Sequence, residues 1–177
     1  MTTNADETRW RALIRAVPDF PQPGILFRDI TPLLHDPAAL RSVNDALAER
    51  SRALRADVVA GIEARGFIFG VPVAERLGLP FVPMRKPGKL PSESESVSYS
   101  LEYGEATLEA HRDPSIAGRR VLVVDDLLAT GGTAAAAARL IETLGGTVAG
   151  FAFCIELGAL NGRARLGSHE VVSLLSF

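Results

Sequence analysis

Short apolar runs alternate with amphipathic stretches along the chain, and their order predicts the class of fold. DVVAGI (57–62) is followed by a polar EARG, then by FIFGVPVAERLG with helical spacing, then by FVPMR. The same order recurs further on: RVLVV (120–124), the loop DDLLATGG, the alanine-rich TAAAAARLIETLGG, and TVAGFAFCIEL. Continuous runs of branched residues suit strands buried on both faces, and parallel neighbours need a crossover that a helix supplies. The expected class is therefore α/β, with a twisted, mainly parallel sheet flanked by helices. Before these units, a helix is expected from about Asp6 to Ala16. The turn DFPQPG, an extended ILFRDI and a second helix from Pro37 to about Leu54 follow. Proline is acceptable in the first turn of that second helix.

Between the two units lies RKPGKLPSESESVSYSLEYGEATLEAH. Its Pro, Gly and Ser content, with serine and glutamate alternating from Ser92 to Ser96, reads as a mobile, solvated excursion. VSYSLEY and EATLEAH are expected to pair as a hairpin beyond it. The 177 residues, 47% hydrophobic, fit one domain with a full core, taken as residues 1–177. A net charge of -2 supplies no general cationic surface, so a small ligand is favoured over nucleic acid. The one cysteine, Cys154, sits in an apolar run and reads as a buried strand residue. Uncharged runs such as Leu144 to Ile155 are shorter than the roughly 20 residues of a membrane span. The start MTTNADETRW lacks a basic segment followed by an apolar core. A cytoplasmic protein without membrane attachment is expected. His35, His111 and His169 lack metal-ligand spacing.

The segment VLVVDDLLATGGTAAAAARL carries the chemistry. Gly131 and Gly132 allow backbone amides close to an anion, Thr130 and Thr133 add hydroxyl donors, and the following helix presents its positive end. It lacks the Lys-Ser or Lys-Thr of the nucleotide-hydrolase loop and the three-glycine dinucleotide pattern. Asp125 and Asp126 beside a phosphate cradle would repel the anion unless they serve other partners. The vicinal hydroxyls of a ribose phosphate, directly or around a hydrated Mg²⁺, are such partners, with the phosphate on Ala129 to Thr133. A phospho-acceptor receiver also places acids at strand ends with Mg²⁺, although it does not need the Gly-Thr cradle.

VLVVDDLLATGGTA resembles the phosphoribosyl-pyrophosphate (PRPP) motif of the type I phosphoribosyltransferases. FPQPGILFRDITPLLHDP, GIEARGFIFG, and RKPGKLP followed by YSLEYGEATLEAH narrow the resemblance to the adenine phosphoribosyltransferase branch, from about Pro18 to the C-terminus. It implies the type I fold with a hood at about residues 90–109, Mg²⁺ as cofactor, and a homodimer. The implied reaction is adenine plus PRPP giving AMP and pyrophosphate, in purine salvage. It assigns Ala129, Thr130, Gly131, Gly132 and Thr133 to the 5′-phosphate, Asp125 and Asp126 to the ribose, and the Glu63 to Gly66 loop with Arg65 to pyrophosphate. Arg85, Lys86 and Lys89 are implied to neutralise pyrophosphate, Arg85 in the neighbouring subunit's site. Leu26, Phe27 and Arg28 are implied to hold adenine, with Tyr103 near the base or positioning the hood. Glu102 is implied to be the acid/base. A module that senses purine or PRPP on the same fold is the second reading, weakened by the retention of Glu102 and both aspartates.

Overall fold

The computed structural model describes residues 4–100, 105–112 and 115–177. They divide into two compact units, ending and beginning at Ala46 and Leu47.

In the first unit, helix α1 (Asn4–Ala12) is shorter than the amphipathic pattern predicts, because Arg15–Pro18 is strand β1. It pairs antiparallel with β2 (Leu26–Asp29), from Arg15 opposite Asp29 to Pro18 opposite Leu26. Pro18 disfavours helical geometry at Val17, and the Arg15 to Asp29 ion pair at 2.5 Å fixes the open end of the hairpin. Asp29 also accepts from the hydroxyl and the amide of Thr31, the first residue of the short helix α2 (Thr31–Leu34). The Thr31 hydroxyl and amide, with Arg15, bring its carboxyl down to about 2. Helix α3 (Pro37–Ser51) starts where expected, with Asp36 accepting from the amides of Ala38 and Ala39 at 3.0 Å. Trp10, almost wholly buried, donates its indole N–H to Ser42 at 2.8 Å and so anchors α1 on α3.

The second unit is a five-stranded parallel sheet with a separate hairpin. A 3-10 turn at Arg52–Leu54 leads into β3 (Val58–Ile62), whose five residues are all buried. Helix α4 (Gly66–Leu77) crosses to β4 (Phe81–Met84). The antiparallel pair β5 (Ser94–Ser100) and β6 (Glu105–His111) follows. Then come β7 (Arg120–Leu128), α5 (Gly132–Thr143), β8 (Thr147–Glu156) and β9 (Val171–Ser176). The sheet order is β4-β3-β7-β8-β9, every neighbour parallel, which confirms the α/β reading and adds β9 at the far edge.

Two local expectations change. Ser94 to Ser96 belongs to strand β5 rather than to a solvated loop, since period-2 alternation of polar residues also suits a strand with one wet face. Arg112 pairs with Glu95 across that hairpin at 2.7 Å. The DDLL of DDLLATGG is likewise strand: β7 runs through Leu128 because β8 is long enough to pair with it, Asp125 opposite Phe153 and Leu128 opposite Glu156. Only Ala129 to Gly131 remains as the connection to α5.

Candidate active site

The β7 to α5 turn gathers the first group of predicted residues. Gly131 takes φ of +80° and caps α5, with no side chain capping that terminus. The amides of the first helical turn are orphan donors at the positive end of the helix dipole, the arrangement that receives an anion. Thr133 therefore does not cap the helix; its hydroxyl lies within the first turn, and Thr130 sits just before. Ala129 and Thr130 are half-buried, and Gly131 and Gly132 are buried.

Asp125 and Asp126 lie near the end of β7, inside the sheet. Asp126 is only 4% exposed, and its amide donates to Asp125 Oδ1 at 2.9 Å. Burial and then the neighbouring Asp126 charge raise the Asp125 carboxyl well above the usual carboxylate range. Burial also raises Asp126, opposed chiefly by the Arg65 guanidinium, whose Nε lies 2.6 Å from Asp126 Oδ2. Two adjacent acids held in a low-dielectric site without enough positive charge favour any partner that donates hydrogen bonds or brings a cation.

Arg65 reaches that position from the second predicted loop, at the end of β3. Helix α4 starts at Gly66 against β7: a Cβ on Gly66 would lie 2.7 Å from the Val124 carbonyl oxygen and 3.0 Å from Asp125 Oδ1. Glycine at 66 is thus a condition for bringing the EARG loop beside the acid pair. The Glu63–Ala64 peptide in this loop is cis.

Glu63 fixes the third group. Its Oε2 accepts from the Lys86 amide at 2.9 Å and from Arg85 Nε at 3.2 Å, and these contacts hold its carboxyl below the usual range, the Lys86 amide contributing most. Arg85 Nη1 also donates to the Lys89 carbonyl at 3.2 Å. The Arg85 backbone exchanges hydrogen bonds with Glu109 of β6, whose carboxylate accepts from the Gly88 amide. Lys86 and Lys89 are exposed. Arg65, Asp125, Asp126, the β7 to α5 turn and the Arg85 to Lys89 segment thus belong to one unit, the last joined to the β3 end through Glu63.

The adenine-segment residues belong to the first unit. Leu26 is 48% exposed, Phe27 packs edge-on against Phe20 with centroids 5.1 Å apart, and Arg28 is opposite Ala16 in the hairpin. Glu102 and Tyr103 lie outside the described residues.

Sequence reading missed the element that braces the phosphate turn. After β8 the chain turns at Asn161, φ +48°, into a 3-10 segment at Gly162–Leu166. A Cβ on Gly162 would sit 2.2 Å from the Ala129 carbonyl oxygen, and one on Gly131 would sit 2.4 Å from the Gly162 carbonyl oxygen. The two backbones are in contact through their glycines. The signal was a lone Asn-Gly, a common turn dipeptide that does not say what it packs on.

The Phosphoribosyl transferase domain family matches residues 29–170. An adenine phosphoribosyltransferase of Gloeobacter violaceus is 61% identical over 165 residues, covering 93% of this chain and 96% of its own. The chain belongs to the adenine phosphoribosyltransferase family. The crystal structure of adenine phosphoribosyltransferase from Thermoanaerobacter pseudethanolicus is 49% identical with a TM-score of 0.93, covering 97% of this chain and 99% of that one. That of the Saccharomyces cerevisiae enzyme, complexed with adenine and an imino-altritol bisphosphate, is 38% identical with a TM-score of 0.90, over 98% of this chain and all of the other. The adenine phosphoribosyltransferase fold thus accounts for the placement of its own motif: the acids in β7 and the glycines at the start of α5 sit at the carboxyl end of a parallel sheet, where ligands of such sheets bind.

Proposed function

We propose that the protein transfers the phosphoribosyl group of PRPP to adenine, forming AMP and pyrophosphate in purine salvage, with residues 1–177 acting as one phosphoribosyltransferase domain hooded by about residues 90–109. The observation that carries this reading is the direct join, within one strand and turn, of an acid pair, Asp125 half-buried and Asp126 buried, to a helix start without a side-chain cap. In this reading the amides and hydroxyls of Ala129 to Thr133 bind the 5′-phosphate. Asp125 and Asp126 accept from the ribose hydroxyls. The Glu63 to Gly66 loop, Arg65, Arg85, Lys86 and Lys89 bind the pyrophosphate, and charge that gathers on it as the bond breaks is met by those cations.

Leu26, Phe27 and Arg28 hold adenine, with Tyr103 beside the base. Glu102 takes the proton that an imidazole nitrogen of adenine loses as it bonds to the anomeric carbon. Closure of the hood excludes water, the competing nucleophile.

Among the described residues no group of three or more His, Cys, Asp or Glu could hold a metal ion. The donor set at the site is two carboxylates, one already paired with Arg65, which fits Mg²⁺ that keeps its waters and arrives with the substrate's oxygens. Asp125 and Asp126 would hold it through those waters. When bound, the ion supplies positive charge to the departing pyrophosphate.

Among the described residues no helix is long and apolar enough to cross a membrane; a cytoplasmic location is part of the proposal. The proposed homodimer gives Arg85 a second role, in the neighbouring subunit's site, and sedimentation equilibrium at twice the monomer mass is the expected result. The activity is tested by a nucleobase panel with PRPP, with and without Mg²⁺. Pyrophosphate release with adenine that is lost on chelation is expected; release with hypoxanthine, guanine or xanthine but none with adenine transfers the assignment to another purine. Glu102→Gln is expected to lower turnover by roughly 10²-fold while PRPP binding stays nearly intact.

A further inference from the structure

The hairpin β5–β6 is seated on the helix that begins at the phosphate turn. Val97 and Tyr99, two residues apart on β5 and so on one face of it, pack against the core that includes Leu108 and Ala110 of β6 and Ala134, Ala137 and Ala138 of α5. Arg139 of α5 reaches the Ser98 carbonyl at 3.4 Å. At the top of this contact the Tyr99 phenol donates to Thr133 Oγ1 at 3.2 Å.

A threonine hydroxyl has one proton and two lone pairs. With the phenol proton occupying one lone pair, the Thr133 proton must point elsewhere, and the orphan amides of the same helical turn mark where an anion would receive it.

We propose that Tyr99 is a positioning residue for PRPP: its phenol orients the Thr133 hydroxyl as a donor to the 5′-phosphate. The inference rests on the phosphoribosyl-transfer reading above and adds a residue that lies outside the PRPP motif. Tyr99 does not touch substrate in this account; it acts through Thr133. The coupling is specific to the phosphate end of the reaction, so adenine affinity is independent of it.

Tyr99→Phe keeps the ring packing and removes only the donor. Its KM for PRPP is expected to rise about fivefold, the equivalent of about 1 kcal/mol for one hydrogen bond, with KM for adenine unchanged and kcat at saturating PRPP within twofold of the parent. In a Thr133→Val background the same substitution is expected to change KM for PRPP by less than 1.5-fold, whereas a Thr133→Ser background retains the dependence. An unchanged KM in Tyr99→Phe, a loss confined to kcat, or an undiminished effect in the Thr133→Val background overturns the proposal. Turnover of the parent protein with adenine and PRPP tests the activity separately, so these results bear on Tyr99 alone. Should Tyr99→Phe fail to fold, Tyr99 is observed directly: in Tyr103→Phe it is the only tyrosine. PRPP is then expected to perturb its ultraviolet difference spectrum, and to do so no longer once Thr133→Val is added. No perturbation by PRPP, or one that survives Thr133→Val, overturns the role.

Discussion

Gly162→Ala isolates the brace behind the phosphate turn. Gly162 is not among the glycines with positive φ, so alanine meets no backbone strain of its own. Its methyl group, however, would lie 2.2 Å from the Ala129 carbonyl oxygen, where ordinary contact begins at 3.4 Å, and 3.1 Å from two Leu128 side-chain carbons. The clash is with backbone rather than with the end of a flexible side chain, so relieving it displaces the Ala129 to Gly131 turn by about 1 Å, on the scale at which misplaced groups lower rates by about 10²-fold. The expected loss in kcat/KM for PRPP is therefore about 10²-fold, equivalent to about 2.7 kcal/mol, with KM for adenine little changed. Overpacking adds a stability loss of about 1–3 kcal/mol, read as a fall in Tm of about 2–4 °C per kcal/mol for a chain of this size. The assay is AMP formation against PRPP concentration at saturating adenine, paired with thermal unfolding. A folded variant with kcat/KM for PRPP within threefold of the parent would show that the turn is not braced by this contact, and the argument from the two glycines would fall.

Asp125→Asn is expected to abolish PRPP turnover while raising stability at pH 7. A carboxyl raised by burial and by Asp126 stabilises the fold only while protonated: its contribution is complete below the unfolded value of 3.8 and is lost as pH rises through the folded one. Asparagine, neutral and still able to accept from the Asp126 amide, removes that loss. Thermal scans are expected to show a gain of about 2–4 °C at pH 7 and little at pH 3, and a lower Tm at pH 7 contradicts the reasoning. Glu63→Ala has the opposite pH dependence, because Glu63 is lowered by the Lys86 amide and Arg85: it stabilises above 4.5 and loses this as pH falls through the folded value. Urea unfolding at pH 7 is expected to show a loss of about 1 kcal/mol that fades in acid. Cys154 is fully buried, and burial pushes its thiol up to about 12, so iodoacetamide at pH 8 is expected to leave the folded protein unlabelled and to modify it in guanidinium.

Much of this protein was determined locally, by the sequence itself. Short apolar runs such as VVAGI and VLVV, bounded by polar loops, suit the interior of a parallel sheet, and the helices between them supply the crossover such a sheet needs. The Gly-Gly-Thr turn after the acids was legible for the same reason, since its residues supply amides, hydroxyls and a helix start in sequence. Tertiary structure decided where strands stop and what stands behind the turn. β7 takes in both aspartates only because β8 is long enough to pair alongside them, and SESV (94–97) is strand only because EATLEAH lies opposite. The Arg65 to Asp126 pair, the hold of Glu63 on Arg85, the Gly131 to Gly162 contact and the Tyr99 to Thr133 hydrogen bond each join residues from separate segments. Periodicity records what a residue needs from its neighbours in the chain; these contacts depend on which distant backbone arrives beside it, and only packing fixes that.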